Sequence, residues 1–219
     1  MKRIIFVSFF ILFSAIEMFA QDRIGDIMLV NATLGLRIRN SPSLNSDRIG
    51  LLNYLTEVRI IEEDSNIVNI DGIEGKWVLV HANNIEGWVF DAYLITIDNI
   101  RRMFVGDWLC LYEIFAFHEG GRFERCILET DYFGYGRWEI INNRLIITIT
   151  NIIGVEEEVN VNHRGIFDFS FVDGTLLLTV ISGKNIVVRN ADELAFIRFD
   201  RTKDVWEQFQ DYGDRFYRQ

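Results

Sequence analysis

The sequence predicts an all-β chain built from two small modules and closed by one helix. Three observations carry that expectation. Apolar residues make up 49% of the chain, with isoleucine, valine and phenylalanine abundant and Pro42 the single proline. Short β-branched or aromatic runs recur between Gly, Asn and Asp turns, which is the composition of barrels and sandwiches. Helical periodicity is hard to find before residue 202.

The chain opens on an export signature. Lys2 and Arg3 precede an almost continuous apolar run from Ile4 to Ile16, and Ala20 offers a cleavage position before Gln21-Asp22. The run is short for a bilayer span, which takes roughly 20 residues. Residues 1–20 therefore read as a signal peptide, with an uncleaved membrane anchor as the alternative, since Met18 is bulky for its position. No cysteine stands near the cleavage point to carry a lipid. The expected mature protein is exported, periplasmic or secreted, and keeps no stable membrane anchor.

The first module is expected over residues 28–96. Leu36-Arg37-Ile38-Arg39 alternates as an exposed-edge strand would. Asn40-Ser41-Pro42-Ser43 makes a turn, and Ile49-Gly50-Leu51-Leu52 leads into Glu57-Val58-Arg59-Ile60-Ile61. A polar loop runs through Asn66. Lys76-Trp77-Val78-Leu79-Val80 is the next strand. Asn83-Asn84 turns the chain into Glu86-Gly87-Trp88-Val89, and Asp91-Ala92-Tyr93-Leu94 closes the unit with a short helical turn.

In this order the fragments resemble the bacterial SH3 family. Leu36-Arg37-Ile38-Arg39-Asn40-Ser41-Pro42 matches its opening, Ile49-Gly50-Leu51-Leu52 its next step, Trp77-Val78-Leu79-Val80 its tryptophan strand, and Gly87-Trp88-Val89-Phe90-Asp91-Ala92-Tyr93-Leu94 its close. Two departures are Asn40, where a small hydroxyl residue is commoner, and a long middle loop around residues 67–75. The resemblance implies a small SH3-like barrel that binds cell-wall peptide or glycan, or another envelope protein.

Thr96 to Met103 reads as a polar connection. The second module is expected over residues 104–201. It opens on Val105-Gly106-Asp107-Trp108. Strand-like runs follow at 109–117, 121–128, 136–141, 144–150, 156–162, 166–172, 175–181 and 194–199. Glu119-Gly120-Gly121, Asn142-Asn143 and Asp173-Gly174 supply hairpin chemistry. Some eight strands in a meander close into an up-and-down barrel without exposed edges. The unit looks lipocalin-like: Gly106-Asp107-Trp108 matches that superfamily's G-x-W start, and Arg198 in Phe196-Ile197-Arg198-Phe199 matches its late arginine. The resemblance implies that Trp108 plugs the closed end of the barrel and that Arg198 packs across it. The other reading of this half is an unrelated β-barrel or sandwich with a structural tryptophan.

The tail, residues 202–219, reads as an amphipathic helix. Asp204 caps it, Glu207 stands three residues later, and Val205, Phe209, Tyr212 and Phe216 form one stripe. The stripe packs on the second barrel or holds a partner.

Charge and motifs exclude several functions. A net charge of −10 argues against nucleic acid, whose phosphates need clustered Lys and Arg, and against binding anionic membranes by charge. His81, His118 and His163 are scattered and show no metal-ligand spacing, so no metal or cofactor is expected. Cys110 lies inside an apolar strand with no helix after it, so a cysteine hydrolase is not expected, and no other catalytic motif is present. Cys110 and Cys126 are sixteen residues apart, a separation that fits facing positions on neighbouring strands. They are read either as one disulfide or as two buried thiols.

Aromatic contact is the main binding chemistry left. Trp77, Tyr54, Tyr93 and Arg39 are the expected ligand-binding residues of the first module, and Trp88 is read as its structural core. In the second module Phe115, Phe117, Phe133, Phe167, Phe169 and Phe171 either fill the barrel or line a cavity for a small apolar ligand. The expected protein is a non-enzymatic envelope binding protein. Its alternative is an accessory subunit or inhibitor of a secreted cell-wall hydrolase.

Overall fold

The structure is a computed structural model and describes residues 23–154, 157–183, 186, 192–205, 207–208 and 210–212. The segment expected to be a signal peptide, residues 1–20, lies outside the described residues. Among those residues no helix is long and apolar enough to cross a membrane.

The first module is one antiparallel sheet of seven strands: β1 (Ile27–Val30), β2 (Leu36–Arg39), β3 (Arg48–Leu52), β4 (Glu57–Ile70), β5 (Ile73–Ala82), β6 (Ile85–Phe90) and β7 (Leu94–Ile95). Their order is β3-β2-β6-β5-β4-β1-β7. The two edges, β3 and β7, do not meet, so the expected small barrel is a half-barrel. Val30, Ile38, Val58, Val78, Val80 and Val89 are fully buried at its centre. These β-branched residues recur at alternate positions, which puts them on one face of the pleat. Gly87 lets β6 approach closely, because a Cβ there would collide with Ile38, Ile49 and the Arg39 carbonyl.

Two expectations change in this module. β2 is an inner strand, flanked by β3 and β6, rather than an edge. The polar loop through Asn66 and the long middle loop are instead the outer arms of β4 and β5. Asp71 and Gly72 both have positive φ and turn this hairpin, the conformation that two-residue hairpin loops require. Two register shifts, at 60/62 and 63/67, let the polar stretch pair.

The second module is a closed antiparallel barrel of β8 (Gly106–Cys110), β9 (Glu113–Phe117), β10 (Arg122–Ile127), β11 (Phe133–Ile141), β12 (Arg144–Ile153), β13 (Glu158–Val172), β14 (Thr175–Ser182) and β15 (Glu193–Arg198). Each strand pairs with its sequence neighbours, and β15 returns to β8 through Ile197↔Leu109 and Arg198↔Trp108. The expected run 109–117 is two strands, broken where Leu111 takes φ 57°. The expected runs 156–162 and 166–172 are one strand. There Gly165 makes room for the Phe167 ring, and a register shift on β12 absorbs the irregularity.

Residues 96–103 are not a polar connection. Thr96 caps helix α1 (Ile97–Phe104), its side chain accepting the Asn99 N–H. Ile97, Ile100 and Phe104 form the apolar stripe of α1 between Asp98, Asn99, Arg101 and Arg102. Ile100 and Phe104 are buried in the barrel core. The Phe104 ring lies 4.9–5.6 Å from those of Phe117, Trp138, Phe169 and Phe171, so α1 plugs one end of the barrel. Phe115, Phe123, Phe167 and Phe196 fill the layer above, all fully buried.

Of the C-terminal helix, residues 205, 207–208 and 210–212 are helical, while Phe209 and Phe216 of its stripe lie outside the described residues. Asp204 accepts the Glu207 N–H at 3.0 Å. The Tyr212 hydroxyl donates to the Ala195 carbonyl at 3.0 Å. The β15–β8 register would pair Ala195 with Leu111, but the chain turns away at Leu111. Tyr212 thus satisfies a carbonyl left over at the barrel seam.

Candidate functional site

A groove of about 790 Å³ lies between the two modules. Its first wall comes from β2 and the loop before it, with Arg37 and Arg39 beside Leu36. Its floor is aromatic: the Phe90 ring stands 6.0 Å from Trp77 on one side and 6.0 Å from Tyr93 on the other. Its far wall belongs to the second module: Met103 of α1 and Phe171, Val172 and Asp173 at the β13–β14 turn. Exposed Leu34, Leu44 and Leu51 form an apolar rim, with Leu34 the most exposed at 93%.

The local sequence explains these positions. β5 and β6 place Trp77 opposite Phe90 on paired strands. The 3₁₀ turn Asp91–Tyr93 then folds Tyr93 back onto Phe90. Asp91 fixes that turn. It accepts the Lys76 N–H at 2.7 Å and a guanidinium N–H of Arg23 at 2.7 Å. Arg39 is 5% exposed, and its Nη1 donates to the Ser46 carbonyl at 2.7 Å, which braces the 41–46 turn. Burial, together with Arg48 and Arg37, lowers its basicity. Arg37, exposed one position before Ile38, is the groove's accessible cation.

The groove brings together Arg39, Trp77 and Tyr93 of the four expected ligand-binding residues. It does not include Tyr54. That side chain is half-buried, and its hydroxyl hydrogen-bonds with the Phe171 backbone of the barrel. Burial pushes its pKa up. Tyr54 joins the modules, as does the Asn143 side chain, which donates to the Leu55 carbonyl at 2.9 Å. Trp88 is not core: it is half-buried, because Gly87 and Val89 on β6 take the inward positions. Sequence reasoning missed Phe90, Arg37 and the barrel's contribution. Phe90 stood inside the closing motif as a plain signal. The barrel's wall had none, since it depends on how the modules dock.

In the barrel, Trp108 is buried and its Nε1 donates to the Phe104 carbonyl at 2.7 Å. The Arg198 guanidinium carbon lies 3.9 Å from the Trp108 ring centroid. The expected Cys110–Cys126 bridge is corrected. Cys110 is on β8 and Cys126 on β10, with β9 between them, and no disulfide joins them. Two strand spacings come to about 9–10 Å, beyond the Cα separation of about 4.4–6.8 Å that a bridge needs. They also face opposite ways: Cys110 opposes Glu113 and Cys126 opposes Ile114, and adjacent residues alternate faces.

Residues 34–95 match the family model of the bacterial SH3 domain. No curated protein and no solved structure matches the chain.

Proposed function

We propose that this is an exported, non-enzymatic envelope protein whose SH3 module binds cell-wall peptide in the inter-module groove. The observation that carries the reading is the convergence of Trp77, Phe90 and Tyr93 with Arg37 and Arg39 in one open groove. Aromatic faces hold peptide stems and sugar rings at small entropic cost, and a guanidinium pairs with carboxylates. The bacterial SH3 match supports an envelope partner, and the first twenty residues support export. The barrel, which we read as lipocalin-like on the Trp108–Arg198 pair, acts as a rigid platform that supplies the groove's second wall.

Purified cell-wall sacculi provide the test. The mature protein should sediment with them, and Arg37→Glu, an exposed change, should abolish sedimentation without altering the thermal midpoint. Equal sedimentation of Arg37→Glu and parent would refute the groove. Co-purification of a wall hydrolase, with no direct binding to sacculi, would favour an accessory or inhibitory role.

A further inference from the structure

The aromatic floor of the groove is held from outside the groove. Phe90 and Tyr93 stand on either side of Asp91 at the 3₁₀ turn Asp91–Tyr93, and that turn has little local support. Phe90, at its N-cap, supplies no side-chain hydrogen bond, and the closing bond runs from the Leu94 N–H to the Asp91 carbonyl. The Asp91 carboxylate is turned onto β5 instead. One oxygen accepts the Lys76 N–H at 2.7 Å, and the other accepts a guanidinium N–H of Arg23 at 2.7 Å. Gly75 makes the seat: a Cβ there would lie 2.6 Å from the Asp91 Oδ1 and 2.8 Å from the Phe90 ring. Carboxylate and ring therefore share one close approach to β5.

Arg23 closes the arrangement. Its Nε donates to Glu63 of β4 and its Nη2 to Asp91, so one guanidinium bridges two carboxylates from different parts of the sheet. Both are shielded, with side chains 18% and 13% exposed, and two like charges held out of water need a cation between them. Lys76 Nζ lies 3.8 Å from Glu63, which leaves Asp91 to Arg23. A planar guanidinium serves two acceptors at once in a way that a single ammonium does not. The backbone beside it is pinned to β4: the Gly25 N–H donates to the Ile60 carbonyl at 2.8 Å and the Ile60 N–H to the Asp26 carbonyl at 3.0 Å. Arg23 is also the third residue of the expected mature chain.

We propose that Arg23 is a positioning residue of the groove. The N-terminal segment latches Asp91 and through it holds the Phe90 and Tyr93 rings at the spacing that receives ligand. Arg23 itself lies outside the groove's lining. The inference rests on the reading of that groove as the binding surface. Without the latch the Asp91 carboxylate turns to solvent, the Lys76 N–H loses its acceptor, and Tyr93 is no longer fixed against Phe90.

Arg23→Gln and Arg23→Lys in the full mature protein test it by two readouts taken well below the melting range: affinity for purified sacculi, and amide exchange at Lys76 followed by nuclear magnetic resonance. Arg23→Gln should weaken sacculus binding about tenfold and speed Lys76 exchange by about tenfold or more. Arg23→Lys keeps the charge without the fork and should fall between parent and Arg23→Gln in both. Arg37→Glu, which acts on the ligand directly, should abolish binding and leave Lys76 exchange unchanged. A lowered melting temperature with parental affinity in Arg23→Gln would overturn the positioning role and leave a stabilising ion pair. Unchanged Lys76 exchange in that variant would overturn the latch itself. A parent that does not bind sacculi would overturn the groove reading and the positioning role with it, while faster Lys76 exchange in Arg23→Gln would still establish the latch on Asp91.

Discussion

Arg198 lies across the face of Trp108, its guanidinium carbon 3.9 Å from the ring centroid, and ties that ring to the end of α1. Its Nη1 donates to the Val105 carbonyl at 2.6 Å and its Nη2 to the Met103 carbonyl. Gly106 makes this possible. It has φ 125°, and any Cβ there would collide with the Arg198 guanidinium. The glycine, tryptophan and arginine are one packing unit that joins the first strand of the barrel to the last. Trp108→Ala should cost about 3–5 kcal/mol from the cavity it leaves. Arg198→Ala should cost about 1–2 kcal/mol from lost stacking and hydrogen bonds. The double variant should lose less than the sum, because the residues touch. Denaturant midpoints of the three variants check this, and additive losses would contradict it.

Phe104 is expected to behave as a core residue despite standing at the end of a short, largely polar helix. Phe104→Ala should lose about 3–5 kcal/mol, because four aromatic rings surround it. Arg101→Ala on the same helix removes an exposed pair with Asp98 and should change stability by about 0.5 kcal/mol or less. Thr96→Ala should lose about 1 kcal/mol with the N-cap. Comparable losses at Phe104 and Arg101 in urea titrations would mean that α1 does not plug the barrel.

The thiols should remain separate in the oxidised protein. Intact mass after alkylation of the unfolded, unreduced protein should show two adducts. In the native protein Cys126 should react first, since Cys110 is buried against the Tyr212 hydroxyl at 3.6 Å. Burial pushes the Cys126 thiol pKa up, so its alkylation rate should keep rising at pH values where an ordinary thiol has levelled off. A protein that takes no adduct until it is reduced would restore the disulfide.

Tyr54 should make module docking sensitive to alkali. Its folded pKa is raised by burial, so folding favours the neutral phenol. That contribution is fully present below the unfolded tyrosine pKa of about 10 and is lost as pH rises through the folded value. Tyr54→Phe should therefore flatten the stability profile above about pH 10 and remove one late-ionising tyrosine from the absorbance titration. An unchanged alkaline profile would show that Tyr54 is not held against Phe171.

Local signals carried most of the strands. Asn83-Asn84, Asn142-Asn143 and Asp173-Gly174 stand at hairpin turns with positive φ, because their short side chains tolerate the left-handed region. Where the chemistry was ambiguous, the pattern misled. Leu111 turns the chain without Gly, Asn or Pro, and the polar run 162–165 continues a strand. In the candidate site, Trp77, Tyr93 and Arg39 could be read from a motif in fixed order. Tyr54 could not be placed, since it sits in a loop whose partner lies on the other module.

By itself the sequence determined the all-β character, the SH3 resemblance over 34–94, the barrel's hairpins and the residues of the Trp108–Arg198 pair. Each is written in short-range alternation, turn chemistry or an ordered motif. Only the tertiary structure decided that residues 97–104 plug the barrel and that Cys110 and Cys126 lie two strands apart on opposite faces. It also decided that the barrel supplies the groove's second wall. These depend on strand register and on which elements dock. Register is a relation between residues distant in sequence, and a shift of one residue reverses every side chain's face.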